Sequence, residues 1–204
     1  MISMLIYGVQ NIQFLARGKR SEVFKGNFKK GKIAIKVYKT ADAKIRAKKE
    51  AKFLNILNEK KIGPKLLRHK NNYIIYKLID GPTFVDWIKT ANKNLILNAV
   101  KEILNQCFKL DSLRINKLEL NKPKKHILME RNKPKFIDFE RCYYTNKPKN
   151  LTQICQYLTS KSISLILKEK KIIINKTILI NSLKIYKRNM NKTNFQSIIN
   201  CVIN

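Results

Sequence analysis

The chain has 204 residues, of which 44 are Lys or Arg and 13 are Asp or Glu, so its formal net charge is +31. Its hydrophobic content of 44% excludes wholesale disorder, and it lacks the charge-free apolar run of about 18 residues that a membrane-spanning helix needs. The four cysteines have no CxxC spacing and no signal peptide is recognised, so the sequence predicts free thiols and a cytoplasmic protein.

The positive charge has two explanations, and the sequence leaves both open. A strongly basic chain is typical of nucleic-acid-binding proteins. However, 36 of the basic residues are Lys and only 8 are Arg, beside 29 Ile and 22 Asn, which is the signature of AT-rich coding. Proteins that bind phosphate usually rely on Arg. The 13 acids occupy only about 6% of positions, so the places where they occur are more informative.

The first 80 residues are predicted to form strands and one helix. Lys36 lies on the opposite face of its strand from Ile35, together with Ala34. Asp42 is the expected N-cap of the helix, and Glu50 lies on its small, apolar stripe rather than on its Lys-rich face. The predicted strands are 12–16, 22–26, 32–38, 66–70 and 73–79, and the predicted helix is 42–60.

Residues 81–204 are predicted to form a second, mostly helical part. Helices are expected at 84–89, at 96–108 and from about Asn150 onwards, with short strands at 126–130 and 135–140. The polar, Pro-interrupted stretch 116–126 is predicted to be a loop. The apolar stretch 172–181 is compatible with a buried helix or a strand.

The stretch 16–23 has the spacing of the pattern G-x-G-x-x-G-x-V. Ala16 and Ser21 take the outer glycine places, Gly18 the middle one, and Val23 the final position. Small residues in such a loop let backbone N–H groups approach phosphate oxygens. Any hairpin can contain Gly and Ser, so the pattern is also compatible with an ordinary turn.

Lys36 and Glu50 form a candidate pair. Ala34, Ile35 and Lys36 match the core of the V-A-I-K strand, whose lysine holds nucleotide phosphates as a point charge. A carboxylate on a packed helix face is costly unless it has a partner, so Glu50 is expected to pair with Lys36. The alternative is an edge position on a solvated helix.

Asp138 follows a short strand and is flanked by apolar residues, as in the D-F-G metal site. Mg²⁺ usually takes one or two carboxylates together with phosphate oxygens. Asp138 is therefore the predicted metal ligand, and Glu140 stands two residues on, where that motif has glycine. The alternative is an ordinary acid at the end of a strand.

The motif H-R-D-x-x-x-x-N, which precedes D-F-G in the same set of motifs, is absent from the stretch 116–126. With His126 in the Asn position, Asn121 has the spacing of the Asp, whereas Glu119 requires two extra residues. Glu119 is preferred because only a carboxylate can accept the hydroxyl proton. His126 offers nitrogen, which is a poorer Mg²⁺ ligand, so it can instead contact phosphate or orient Asp138. Both residues are also compatible with an ordinary loop.

These motifs, in this order, resemble the protein-kinase-like superfamily, and within it the small predicted Ser/Thr kinases of archaea. The residues that carry the resemblance are LELNKPKKHI, IDFERC and KPKNLTQICQYL, and the similarity covers about residues 12–142. RIO and Bud-type kinases and aminoglycoside phosphotransferases are more distant relatives. The resemblance implies an α+β fold of two lobes: a β-rich N-lobe with one helix (1–80) and a reduced, helical C-lobe (81–204).

The resemblance also implies a function: ATP and Mg²⁺ binding, with phosphoryl transfer to a hydroxyl such as that of Ser or Thr in a protein. Lys36 would hold the phosphates and Glu50 would fix it. Asp138 would bind Mg²⁺, helped by His126 or Glu140. In the hinge strand, backbone groups of Lys77 and Leu78 would face adenine.

Two other functions remain open. The missing H-R-D and A-P-E motifs and the short segment after Arg141 are compatible with a nucleotide-binding pseudokinase that serves as an RNA- or ribosome-associated module. Residues 141–204 contain 12 Lys or Arg and one acid, Glu169, which favours such a contact. The other is a small-molecule kinase of the aminoglycoside-phosphotransferase type. The acceptor site lies in the least informative part of the chain, so substrate profiling would separate this function from a protein kinase.

Overall fold

The computed structural model describes residues 8–29 and 31–203. They divide into two compact units. The first unit contains the described residues up to Asp80 together with Lys135–Glu140. The second unit contains Gly81–Pro134 and the described residues from Arg141 onwards. The segment Lys135–Glu140, which includes Asp138, therefore belongs with the N-terminal strands despite its distance along the chain.

The first unit is built on one antiparallel sheet of five strands, whose order across the sheet is first, second, third, fifth and fourth along the chain. Successive side chains of a strand point to opposite faces of the sheet. Ile33 and Ile35 pack with Tyr73 and Ile75 on one face, which leaves Lys36 on the other. The strands are β1 (Val9–Arg17), β2 (Ser21–Phe28), β3 (Gly31–Tyr38), β4 (Leu66–Lys70) and β5 (Tyr73–Lys77).

The single long helix of the first unit, α1 (Ala43–Glu59), buries the predicted small-residue stripe and, within it, Glu50. The prediction that Asp42 is the N-cap residue is confirmed, although its side chain makes no capping hydrogen bond. Its carboxylate instead accepts hydrogen bonds from Thr40 Oγ1 at 2.6 Å and Arg46 Nε at 2.8 Å. The guanidinium is the stronger partner because both groups are charged.

The described part of the second unit is mostly helical. Its central helix α3 buries the predicted stripe from Ile96 to Cys107, and Phe108 stacks on Phe195 with ring centroids 4.4 Å apart. Within the described residues, none of the helices has the length and apolar character needed to cross a bilayer. The helices are α2 (Phe84–Thr90), α3 (Lys93–Ser112), α4 (Asn150–Leu158), α5 (Lys161–Glu169), α6 (Lys176–Arg188) and α7 (Lys192–Ile203).

The predicted loop 116–126 has more regular structure than expected. Its start belongs to β6 (Ile115–Lys117), which pairs with β9 (Cys142–Tyr144), and two short 3₁₀ turns follow, Leu118–Asn121 and Pro123–Lys125. Pairing with a distant strand is not visible in a local pattern, so the polar composition misled the prediction. Two further strands, β7 (Ile127–Glu130) and β8 (Lys133–Phe136), lie on either side of a two-residue turn.

The ambiguous stretch 172–181 is partly helical, because α6 begins at Lys176. Asn175 caps it by accepting a hydrogen bond from the Ile178 N–H at 3.1 Å.

The buried carboxylate of Asp111, near the end of α3, binds the first residues of α4. Asp111 accepts hydrogen bonds from Asn150 Nδ2 at 2.7 Å, from the backbone of Asn150 and Leu151, and from the Tyr186 hydroxyl at 3.2 Å. Burial raises the pKa of Asp111, and these four donors act in the opposite direction. Asn150 also donates to the Ile115 carbonyl, so the segment before Glu119 is held by side-chain hydrogen bonds as well as by the strand.

Candidate phosphate-binding and catalytic sites

The ammonium group of Lys36 is the centre of the candidate site in the first unit. Its Nζ lies 2.9 Å from Glu50 Oε2 and 2.7 Å from Asp138 Oδ1. The Lys36 side chain is only 6% exposed, whereas that of Asp138 is 28% exposed. The structure therefore brings together three residues that the sequence singled out, and Asp138 is the one that solvent reaches best.

Glu50 is held by three donors in the first unit. Its Oε2 accepts from Lys36 and from the Tyr38 hydroxyl, and its Oε1 accepts from the Phe139 N–H at 2.9 Å. Burial and the charge of Glu50 raise the pKa of Tyr38, so its hydroxyl stays protonated and remains a donor. Both carboxylate oxygens are thus satisfied, which compensates the cost of burying this charge.

Lys36 remains charged at physiological pH. Burial acts to lower the pKa of its ammonium, but Glu50 and Asp138 outweigh burial and hold that pKa well above its ordinary value. A permanently charged lysine next to a half-exposed carboxylate can bind a phosphate oxygen as a point charge.

Asp138 takes an uncommon backbone conformation, with φ of 66°. Asp adopts this left-handed region more readily than most residues. The next residue, Phe139, is fully buried and packs against Gly63, whose own φ is 77°. A Cβ at Gly63 would lie 2.9 Å from the Phe139 ring, so the glycine allows the ring to seat and fixes the turn that presents Asp138.

Glu140 lies in a basic environment. Its Oε1 is 3.2 Å from Arg20 Nη1 and 3.9 Å from Arg46 Nη1, and its Oε2 is 3.8 Å from Lys36 Nζ. Its side chain is 8% exposed. The position at which the D-F-G motif has glycine is therefore occupied by a buried carboxylate with three cations around it.

The predicted small-residue loop is the β1–β2 connection. Ala16 and Val23 face each other across this hairpin, and the Gly18 N–H donates to the Ser21 carbonyl at 2.8 Å. Val23 is also opposite Lys36 in the β2–β3 register, and Ala34 is opposite Tyr76 in β5. The loop is thus a tight turn next to the strand of Lys36, with Arg20 at its tip.

The two predicted hinge residues lie at the end of β5 and just beyond it. The N–H of Lys77 donates to the Lys65 carbonyl at 2.9 Å, and the N–H of Leu78 donates to the Lys32 carbonyl at 3.1 Å. An adenine contact would have to replace these hydrogen bonds or use carbonyl groups.

The second unit contains the other predicted catalytic residue. Glu119 lies in the first 3₁₀ turn, and its Oε2 accepts a hydrogen bond from Lys117 Nζ at 3.2 Å. Both residues are buried, Lys117 completely. Glu119 Oε1 is buried and has no hydrogen-bond partner within the described residues. An unsatisfied buried carboxylate oxygen is rare in folded proteins, and it leaves Glu119 with one unused acceptor.

His126 and Asn121 flank the second 3₁₀ turn. His126 is the C-cap of that turn, and its N–H donates to the Pro123 carbonyl at 2.8 Å. Asn121 is exposed and accepts a hydrogen bond from Gln153. Asn121 is therefore used in a surface contact with α4.

The carboxylates of the first unit differ in how well they suit Mg²⁺. Within residues 8–29 and 31–203, no group of three or more His, Cys, Asp or Glu side chains is arranged to hold a metal ion by itself. Mg²⁺ does not require such a group, because phosphate oxygens and water complete its shell. Asp138 fits as the single protein carboxylate. Glu140 fits poorly, because its three cationic neighbours would repel a metal ion.

Sequence reasoning missed four residues of these sites: Arg20, Tyr38, Arg46 and Lys117. The two arginines had a usable signal, because only 8 of the 44 basic residues are Arg. Lys117 lies in a short strand between apolar segments, which is where a lysine needs a partner. Tyr38 had a periodicity signal, since it shares the strand face of Lys36.

No protein-family model matches the sequence, and a search of curated proteins finds no match. Among solved structures, the chain is similar to the autoinhibited serine kinase domain of the giant muscle protein titin, with a TM-score of 0.57 and 22% identity. The similarity covers 69% of this chain and 48% of that one, so the chain spans about half the length of that neighbour. The protein has a protein-kinase-like fold, and the predicted α+β class with a β-rich first part and a helical second part is confirmed.

Proposed function

We propose that the protein is a Mg²⁺- and ATP-dependent kinase that transfers the γ-phosphoryl group to a hydroxyl, that of Ser or Thr in a protein. One observation carries the proposal: the buried ammonium of Lys36 is bound by both Glu50 and Asp138. A kinase-like fold suggests phosphoryl transfer in general, and this trio supplies the charges that such transfer needs.

In this proposal, Lys36 binds phosphate oxygens and Glu50 keeps the ammonium in place. Glu50 is suited to positioning because its two oxygens are already occupied by Lys36, Tyr38 and the Phe139 N–H. Asp138 is suited to the metal because its side chain is the most exposed of the trio. Mg²⁺, when bound, neutralises charge on the phosphates.

Glu119 is proposed as the carboxylate that accepts the proton of the attacking hydroxyl. The hydroxyl oxygen forms the new P–O bond as the bond to the leaving nucleoside diphosphate breaks, and the proton passes to Oε1, which has no hydrogen-bond partner in the described chain. Lys117 fixes the other oxygen of this carboxylate. His126 and the adenine contacts of Lys77 and Leu78 stay predictions.

We also propose that, among proteins with the protein-kinase-like fold, this one is related to the small archaeal Ser/Thr kinases, because of its LELNKPKKHI and IDFERC motifs. A pseudokinase with the same fold is the alternative outcome of the test. The comparisons give no support to an RNA or ribosome contact of the basic segment after residue 141.

The test is γ-phosphoryl transfer from Mg²⁺-ATP by the pure protein, measured as autophosphorylation and with a mixture of basic protein substrates. The wild type should be active, and Asp138→Asn should lower the rate at least about 100-fold because it removes the metal carboxylate. Asp80→Asn is the matched control: it is an exposed acid of the same unit, in a 3.5 Å pair with Lys32.

A wild type that binds ATP but transfers no phosphoryl group to water, to itself or to any substrate would favour the pseudokinase. Equal rates for Asp138→Asn and Asp80→Asn would show that Asp138 has no special part in the reaction.

A further inference from the structure

Glu140 is a buried carboxylate of the first unit that the proposed reaction does not use. It lies two residues after Asp138 and its side chain is 92% buried, since only 8% of it is exposed. Its Oε2 has no hydrogen-bond partner among the described residues, although the ammonium of Lys36 is 3.8 Å away. This carboxylate is thus held by charge more than by hydrogen bonds.

Three cations from three different elements surround Glu140. Arg20 comes from the tip of the β1–β2 turn, Lys36 from β3, and Arg46 from the first turns of α1. We call Arg20, Lys36 and Arg46 the cation triad. Arg46 is also bound to Asp42 through both Nε and Nη2, which fixes its guanidinium in place.

We propose that the cation triad is an anion site for the phosphate groups of a nucleotide. The carboxylate of Glu140 occupies this site in the free protein, and the phosphate groups displace it when the nucleotide binds. The proposal rests on the proposed nucleotide binding, and it adds two arginines to the predicted phosphate contacts. It also gives Glu140 the role of a competitor rather than that of a metal ligand.

Charge and geometry favour this assignment. A buried carboxylate and a phosphate oxygen are bound by the same donors, and Arg binds both in a fork geometry that Lys lacks. Arg20 is the accessible member of the triad, with 34% of its side chain exposed, so an incoming anion can reach it. The chain has few arginines, and two of the 8 point at one carboxylate.

The opposite assignment, Glu140 as a Mg²⁺ ligand, predicts the opposite result. Removing a metal ligand weakens phosphate binding when Mg²⁺ is present, whereas removing a competing anion strengthens phosphate binding with and without Mg²⁺. The titration in EDTA and the same titration in Mg²⁺ together separate the two, since a metal ligand predicts weaker binding by Glu140→Gln in Mg²⁺.

The experiment is calorimetric titration of inorganic tripolyphosphate into the full chain in EDTA, with the wild type and Glu140→Gln compared. We expect Glu140→Gln to bind tripolyphosphate at least about threefold more tightly, because one negative charge leaves the site while the side chain keeps its size and an acceptor for Arg20. Unchanged or weaker binding by folded Glu140→Gln overturns the proposal.

Glu22→Gln is the matched control. Glu22 is a buried acid of the same sheet, also paired with an arginine and a lysine, Arg17 at 2.7 Å and Lys39. It lies on the opposite strand face, because its register partner is Val37 whereas Val23 is opposite Lys36. Its substitution should leave tripolyphosphate binding unchanged, and an equal gain would show that any lost acid has this effect.

A second variant decides the matter if Glu140→Gln fails to fold. Arg20→Gln removes a half-exposed cation and should weaken tripolyphosphate binding about threefold in the otherwise unchanged chain. Unchanged binding by Arg20→Gln overturns the proposal.

The proposed kinase activity can fail separately. Tighter tripolyphosphate binding by Glu140→Gln, with no phosphoryl transfer by any variant, would support the anion site and refute the kinase.

Discussion

Each unit of the protein buries a lysine against a glutamate, and the two pairs differ in how they are completed. In the first unit, Glu50 receives three donors, and Lys36 also binds the half-exposed Asp138. In the second unit, Glu119 accepts from Lys117, and its other oxygen has no hydrogen-bond partner in the described chain.

The difference separates two uses of a buried ion pair. A fully satisfied pair that extends to an exposed acid fixes a charge where a ligand can reach it. A pair that leaves one carboxylate oxygen unsatisfied stores an acceptor, which is costly in the resting protein and useful when a hydroxyl arrives. The first arrangement suits phosphate binding, and the second suits proton acceptance.

The largest effect on stability is expected from Lys117→Met in the second unit. It leaves the buried carboxylate of Glu119 without the ammonium that binds its Oε2, so the free energy of unfolding should fall by about 3–5 kcal/mol. Urea denaturation measures this.

The double variant Lys117→Met/Glu119→Leu is the control for this prediction. It removes both charges and should recover most of the lost stability, as in other buried pairs replaced by apolar residues. If the double variant is no more stable than Lys117→Met, the unpaired charge of Glu119 is not the cause of the lost stability.

A smaller effect is expected from Tyr38→Phe, which removes one of the three donors to Glu50. The lost charge-assisted hydrogen bond should lower the free energy of unfolding by about 1–2 kcal/mol and also weaken ATP binding, because Glu50 then holds Lys36 less firmly. Thermal denaturation and ATP titration measure the two effects.

Tyr186→Phe is the matched control, since the Tyr186 hydroxyl also donates to a buried carboxylate, that of Asp111. It should lose comparable stability and keep ATP affinity. Equal losses of ATP affinity in the two variants would argue against a link between Tyr38 and Lys36.

Much of the first unit could be predicted from the sequence. Strand alternation placed Lys36 on a face, helical periodicity placed Glu50 on a buried stripe, and both assignments depend only on local spacing. The contact of Lys36 with Asp138 joins residues that are 102 positions apart in the chain, and only the resemblance to a known fold suggested it.

The parts that could not be predicted depend on pairing between distant segments. The stretch 116–126 was expected to be a loop because its composition is polar, yet Lys117 pairs with Cys142 in a short sheet. Arg20 and Arg46 are two of only 8 arginines, but their convergence on Glu140 depends on contacts between distant segments that local spacing does not show.

The most direct test of the central claim, that the ammonium of Lys36 binds nucleotide phosphate, is the affinity for Mg²⁺-ATP measured by calorimetry. Lys32→Met is the matched control, since Lys32 lies on the same strand in an exposed pair with Asp80. Lys36→Met should weaken binding at least about tenfold, which corresponds to about 1.4 kcal/mol, and Lys32→Met should leave it within about twofold. Equal affinities of Lys36→Met and the wild type would contradict the account.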